Sequence, residues 1–286
     1  MYKFIVENAN GEQLQLTQNP KYALEITNGL LPPSAIINTS KLVNFDGQVF
    51  NSSYLNMRNL VLMIYPQAPD IEANRIALYR IIKSKQYIKC YFQNGLRNVY
   101  IEGYVESIDG NLFDQMQVIQ VSILCPKPYW LGLTQVVTEL SKVTKMFEFP
   151  FSIDAAGIPF SEFNQYDIAS VVNNGDVPSG MIIDICFTDE ATITAPKIYN
   201  ANTNEFFGLN VILSGAENAV IRIDSVNKSV QKIVNGAVVG NYLQFIMPNS
   251  TWLKAYHGEN LFYYTDTSGS DDMYLKISFD EQYEGV

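Results

Sequence analysis

The chain has a single histidine, His257, among 286 residues, with three cysteines, two tryptophans and only 17% charged residues. Each shortage closes a class of chemistry. A Ser-His-Asp or Cys-His catalyst would have to be built on His257, which lies in Ala255-Tyr256-His257-Gly258 just before a turn and reads as a surface or packing histidine. Histidine-based zinc sites fail on count. Cys90, Cys125 and Cys186 lie far apart, each in or at the end of an apolar run, and read as buried thiols rather than metal ligands. Neither G-x-x-x-x-G-K nor G-x-G-x-x-G occurs, so nucleotide-driven work is not expected. No apolar run approaches the roughly 18 residues of a membrane span, and the opening MYKFIVENANGEQ turns polar before a signal-peptide core could form. The expectation is a chain neither secreted by that route nor anchored, with no catalytic residue, cofactor or metal.

What is present is apolar and aromatic: 47% hydrophobic and 13% aromatic residues, a composition too apolar for disorder. The length suits one large or two ordinary domains. Net charge is −10 and unevenly placed: residues 1–135 hold 11 Lys/Arg and 10 Asp/Glu, residues 136–286 hold 8 and 19. Neither half offers the basic stripe that phosphate neutralisation needs, so specific nucleic-acid binding is not expected. The asymmetry itself suggests two domains.

Period-two patterning bounded by Asn, Gly, Asp and Pro predicts a mostly β protein. The clearest strand runs from Val99 to Ile108, with Val99, Ile101, Gly103 and Val105 on one face and Tyr100, Glu102, Tyr104 and Glu106 on the other. Tyr87–Gln93 reads as its hairpin partner through Asn94-Gly95. Further strands are expected at 3–7, 13–16, 23–27, 47–51, 58–65 and 117–124. One helix is expected, opened by a capping Asp70, carrying Ile71, Leu78 and Ile82, and ending near Lys85, with Lys83 and Lys85 as solvated charges in its last turn. Pro126 and Pro128 mark a boundary, giving an N-terminal domain at 1–130, a linker at 131–145 and a second domain at 146–286. Eleven runs are expected in the second half, at 146–151, 168–173, 181–188, 191–199, 210–214, 220–224, 229–234, 242–247, 251–256, 260–265 and 273–279. So many closely spaced strands imply a sandwich.

The tyrosines and phenylalanines, 18 and 16 of them, either fill β cores or present rigid rings at interfaces and sugar platforms. Tyr100, Glu102 and Tyr104, outward on an alternating strand, are interface candidates, or else the helix covers them. Asp271-Asp272 is the closest carboxylate pair. Its neighbours on a strand would face opposite ways, and Thr267-Ser268-Gly269-Ser270 reads as an exposed loop, so the glycosidase reading is the weakest of three.

An ordered series of motifs is more specific than this composition. It comprises Ile26-Thr27-Asn28-Gly29-Leu30 with Pro32-Pro33, Asp46-Gly47 with Phe50, Arg58-Asn59-Leu60-Val61-Leu62, Asp70-Ile71-Glu72 with Arg75, Leu78 and Tyr79, Arg97 through Val105, Cys125-Pro126 and Pro128-Tyr129. A looser set follows at Asn174-Gly175-Asp176 with Pro178, Asn235-Gly236 and Gly258-Glu259-Asn260. The series resembles the distal tail (Dit) proteins of long-tailed, non-contractile bacteriophages. The resemblance implies an N-terminal split β-barrel decorated by a helix and a C-terminal galectin-like β-sandwich (a jelly roll). It also implies a homo-hexameric ring in the virion, made in the bacterial cytoplasm, between the tail-tube ring and the tail-tip or tail-associated lysin protein. Receptor-binding or baseplate proteins would dock on the outer domains, and genome DNA would pass through without being retained. A near-neutral inner half suits such a channel. The alternative is a carbohydrate-binding module on host wall glycans, which a galectin-like scaffold does not by itself confer, since function resides in the site.

Overall fold

A computed structural model of the chain describes residues 2–44, 46–113, 116–141, 143–145, 161–163, 168–187, 192–214, 219–267 and 273–286. It divides into two compact units, Met1–Leu133 with Gln282–Val286, and Thr134–Glu281.

The first unit contains strands β1 (Lys3–Asn8), β2 (Gln13–Gln15), β3 (Tyr22–Asn28), β4 (Ala35–Ser40), β5 (Val49–Leu55) and β6 (Arg58–Pro66). Helix α1 (Ile71–Ile81) follows, then β7 (Tyr87–Gln93), β8 (Asn98–Asn111), β9 (Val118–Cys125) and β10 (Trp130–Gly132). An all-antiparallel sheet runs in the order β2-β1-β7-β8-β9-β6-β3 and does not close, leaving the barrel split. Strict alternation places Leu60, Leu62 and Ile64 of β6, Ile88 and Cys90 of β7, and Val99, Ile101 and Val105 of β8 in one core. Gly103 completes that face of β8 without a side chain. A Cβ there would lie 2.7 Å from the Leu124 carbonyl oxygen, so only glycine lets β8 and β9 approach so closely.

The helix is shorter than its pattern suggests. It ends at Ile81 because Ile82 turns extended to bury its side chain, and Lys85 lies beyond with φ +68°. Asp70 makes no side-chain cap; its carbonyl accepts the Asn74 N–H at 2.9 Å instead. Asn74 is buried on the same face as Leu78, its side-chain amide donating to the Gln67 carbonyl and its carbonyl accepting from Tyr22 Oη at 2.9 Å. The ladder of β4 with β5 lies outside the large sheets; the sequence pattern predicts no strand at 35–40 and only 47–51 for its partner.

The second unit is a sandwich. Its larger sheet orders Val136–Ser141, Met273–Phe279, Ile182–Phe187, Ala219–Asp224, Ser229–Val234 and Ala237–Asn241. Its smaller sheet orders Ala169–Asn173, Gly258–Thr265, Lys197–Asn200 and Glu205–Gly208. Ile183, Ile221 and Leu275 from the first meet Val171, Ile198 and Phe262 from the second in one core.

Several expectations change here. Residues 131–145 are not a linker: Val136–Ser141 pairs along its whole length with Met273–Phe279, burying Leu140. The expected strand at 191–199 breaks at Ala195, φ +53°, into Thr192–Thr194 and Lys197–Asn200, which join different sheets. At 242–247 the chain makes a 3-10 turn, Leu243–Phe245, and at 251–256 only Lys254–Ala255 pairs. Glu205–Gly208 and Ala237–Asn241 are strands the pattern did not predict. The strand expected at 146–151 and the pair Asp271-Asp272 lie outside the described residues.

Candidate functional site

The outer face of the first unit's sheet is built by register. Pairing aligns Ile5, Tyr91, Tyr100 and Leu131 in one row across β1, β7, β8 and β10, and Glu7, Lys89 and Glu102 in the next. Tyr87 faces Tyr104 in a third, their rings edge-on at 6.1 Å. The Lys89 ammonium lies 3.7 Å from the Tyr100 ring centre and 5.3 Å from that of Tyr91, a doubled cation–π contact flanked by two carboxylates. Of the three predicted interface residues, Tyr104 is half exposed, while Tyr100 and Glu102 are partly buried in this lattice. The helix does not cover them, because it buries Leu78, and the chain just beyond it Ile82, in the core on the opposite face. Tyr104 borders a cleft of about 220 Å³ with Tyr87, Glu102, Pro126, Lys127 and Tyr129.

Burial, then the Glu7 carboxylate, whose oxygen accepts the phenol at 3.2 Å, pushes Tyr91 up to about 12; burial and a bond to Glu102 raise Tyr87 as well. Both phenols are therefore protonated in the fold above the pH at which an unfolded tyrosine ionises, about 10. Their contribution is complete below pH 10 and is lost on the alkaline side, for Tyr91 as pH rises through about 12. Alkaline unfolding of the first unit should accordingly begin above pH 10, and ultraviolet phenolate titration should show late-ionising tyrosines that Tyr91→Phe reduces in number. Titration of every exposed and half-buried tyrosine near pH 10 would contradict this lattice.

A buried cation organises the rest of the unit. Arg58, 3% exposed, donates from Nε to the Pro128 carbonyl, from Nη1 to those of Gly29 and Leu31, and from Nη2 to that of Glu284, at 2.5–2.7 Å. Burial lowers its pKa, yet four carbonyl acceptors satisfy its donors. Gly29 has φ +98° and a Cβ there would meet the Leu60 backbone at 2.8 Å, so the β3–β4 connection is pressed onto β6 and held by Arg58. Arg97 donates to the Gly285 carbonyl and stacks over Tyr283 at 4.7 Å, and the Val286 N–H donates to Leu30. The sequence singled out Arg58 and Arg97 only as motif letters; no local pattern announces a guanidinium whose acceptors are four distant carbonyls.

The single histidine and the three cysteines have structural roles. His257 Nδ1 lies 2.7 Å from the Gly175 carbonyl, which can only accept, so that nitrogen carries the proton and pins a turn. Cys90, Cys125 and Cys186 are buried thiols, and burial pushes Cys125 up to about 12 and raises Cys90 well above the ordinary thiol value, away from thiolate chemistry. Among the described residues no three metal-ligating side chains cluster, and no helix is long and apolar enough to cross a membrane.

An outer aromatic row also crosses the small sheet of the second unit. Tyr199 stacks on Tyr263 at 4.9 Å and 5°, with Phe206 at 5.7 Å on its other side. Cross-strand stacking uses the ring faces of Tyr199 on its neighbours, whereas a pyranose needs an open face to lie upon.

In this chain an open sheet is interrupted by a whole sandwich and completed by residues 282–286, and folds similar to it occur among solved structures of phage tail proteins. The fold matches the crystal structure of the Dit protein (gp 19.1) of phage SPP1, described as a paradigm of hub adsorption apparatus in phages infecting Gram-positive bacteria, with TM-score 0.63 over 98% of each chain at 13% identity. It also matches chains of the phage P2 baseplate in its activated conformation, with Ca and with Sr, each at TM-score 0.50 over 100% of both chains and 8% identity. At these identities the likeness is one of fold. No family model matches the chain, and no curated protein sequence does.

Proposed function

We propose that this chain is a structural hub protein of a long non-contractile phage tail. Copies close into a hexameric ring at the distal end of the tail tube, joining the tube to the tail-tip protein and carrying baseplate or receptor-binding components. The observation that carries the reading is the fold match to the SPP1 hub protein over 98% of this chain, which spans both units. Charge supports it independently. The first unit holds 11 basic and 11 acidic residues, the second 8 and 18, so their net charges are 0 and −10. Like-charged second units repel, while neutral first units associate without that penalty. A neutral lining also lets DNA pass without being held. The role is architectural, not enzymatic, the protein is made in the bacterial cytoplasm and resides at the tail tip, and the outer face around Tyr100, Glu102 and Tyr104 is offered to a neighbouring subunit or ring.

Negative-stain images and light scattering of the purified protein should show six-membered rings or stacks of them, and immunogold should label the tail tip. A strict monomer at high concentration together with unlabelled tips would end the proposal. The glycan-binding alternative has only the aromatic content behind it, and the mutual stacking of Tyr199 and Tyr263 weighs against it. Pull-downs of the full chain with host wall glycans should show no saturable binding.

A further inference from the structure

The tyrosines on the outer face of the first unit's sheet frame two neighbouring gaps. Register places Glu7, Lys89 and Glu102 side by side, and the Lys89 ammonium fills the first gap, over the Tyr100 ring and within reach of Tyr91. In the next row Tyr87 and Tyr104 meet edge-on, and together with Glu102 and Tyr129 they line the second gap, the cleft of about 220 Å³. Lys127 also lines it but is exposed to solvent. The two gaps share one construction, tyrosine rings set beside the Glu102 carboxylate, and the first shows what such a gap holds: a cation.

The cleft exists because the ladder beside β8 is interrupted. On that side β8 pairs with β9 as far as Tyr104 and with β10 from Tyr100, and Pro126-Lys127-Pro128-Tyr129 spans the interval. The two prolines lack the N–H that would extend either ladder, so the gap beside Glu102 persists. The spanning segment is pinned, since the Pro128 carbonyl accepts Arg58 Nε at 2.6 Å. A cleft whose walls are fixed in advance spares a ligand the cost of ordering them. Charge favours a cation as well: Glu7 and Glu102 are two carboxylates flanking the single ammonium of Lys89, so the lattice beside the cleft carries surplus negative charge.

We infer that this cleft receives an arginine side chain from a second, different protein docking on the outer face, its guanidinium stacked on the tyrosine rings and paired with Glu102. The inference deepens the reading that this face is offered to a neighbour, and rests on it for the source of the arginine. Size selects the side chain: the cleft is several times the volume of one water, about 30 Å³, so an ammonium alone would underfill it. A planar guanidinium on its apolar stem fills more of it, stacks on aromatic faces and offers paired donors to a carboxylate. The source is a different protein because four of this chain's five arginines are committed within their own copy: Arg58 to four carbonyls, Arg75 to Glu72, Arg97 to Gly285 and Tyr283, and Arg222 to Asp184.

Saturation-transfer NMR on the purified full chain, with Nα-acetyl-arginine amide as the probe, should show saturable binding with a dissociation constant on the order of 1 mM, and binding about tenfold weaker or more for its uncharged isostere Nα-acetyl-citrulline amide. Tyr104→Leu keeps the apolar bulk of a half-exposed residue and should weaken the arginine probe about fivefold at an unchanged unfolding temperature. Glu102→Gln should weaken it by a similar factor, and Lys127→Met should strengthen it about twofold by removing a competing charge. Equal binding of the two probes, or weaker binding to Lys127→Met, overturns the inference. In virions, Tyr104→Leu/Glu102→Gln should leave the ring in place and lose the component that docks on it. Rings that fall apart in this variant overturn the choice of a different protein in favour of a second copy, and complete, infectious tails from a variant that has lost probe binding overturn the docking itself. A wild type that binds the probe but stays monomeric at high concentration removes the ring reading and supports the cleft; rings that bind no probe remove the cleft and leave the ring.

Discussion

Replacing Arg58 by methionine should lower the melting temperature of the first unit by about 10 °C, leaving the second unit's transition in place. The reasoning weighs two opposed terms. A buried arginine is desolvated, as its lowered pKa records, and a methionine of similar length would recover that cost and add roughly 1.5–3 kcal/mol of apolar burial. Against this stand the carbonyls of Gly29, Leu31, Pro128 and Glu284, which keep their places in the backbone whatever side chain replaces Arg58. A buried ion pair can be exchanged for apolar groups at little loss because both partners go. Here only the donor goes, and each acceptor stranded in the interior costs about 1–3 kcal/mol, so a net loss near 4 kcal/mol is expected. Arg58→Lys should recover little, since one ammonium cannot reach acceptors that approach a planar guanidinium from Nε, Nη1 and Nη2. Calorimetry of the full chain resolves the two transitions, and an unchanged first transition in Arg58→Met would refute the keystone role.

How far the sequence predicts this structure depends on how far each residue's environment is local. Val99–Val105 and Leu60–Ile64 alternate because one face of each strand meets core and the other does not, and that difference is written in every second letter. The hairpin of β4 and β5 escapes the pattern for the converse reason. Asn38, Thr39, Ser40, Asn51, Ser52 and Ser53 sit on a ladder wet on both faces, so no alternation arises to be read. At 242–247 and 251–256 the opposite error occurs: Tyr242, Ile246 and Trp252 pack against the core from turns and loops, and an apolar run was taken for a strand. Tyr100, Glu102 and Tyr104 were placed on the outer face from periodicity alone, but the lysine that partly buries the first two came from the neighbouring strand's register. Nor did any composition shift mark 282–286, because five residues that pair across the fold leave no periodic trace.

Those five residues are expected to stabilise the first unit out of proportion to their number. Ending the chain at Glu281 removes the Arg58 bond to Glu284, the Arg97 bond to Gly285, the stacking of Arg97 on Tyr283 and the Val286 bond to Leu30. It also strips one of the two ladder partners of β10, leaving only β8, and uncovers Trp130, which is fully buried and pairs with Tyr283. Two charge-assisted bonds at about 1.5–3 kcal/mol each, and a cation–π contact at about 0.5–1, sum to a loss of roughly 4–7 kcal/mol before the tryptophan is counted. A free chain end regains entropy when released, about 1–2 kcal/mol per residue over a few residues, and this offsets a large part of the gross figure. A net loss of about 2–4 kcal/mol follows, enough to lower the first transition by roughly 5–10 °C while sparing the second. Tryptophan fluorescence provides a second reading: Trp130 should redden and become quenchable in the truncated chain, with Trp252 in the sandwich unaltered. Arg58→Met and the truncation share the Glu284 contact, so their combined effect should fall short of the sum. Full additivity would mean that the C-terminal strap and the guanidinium act independently, against the geometry that joins them.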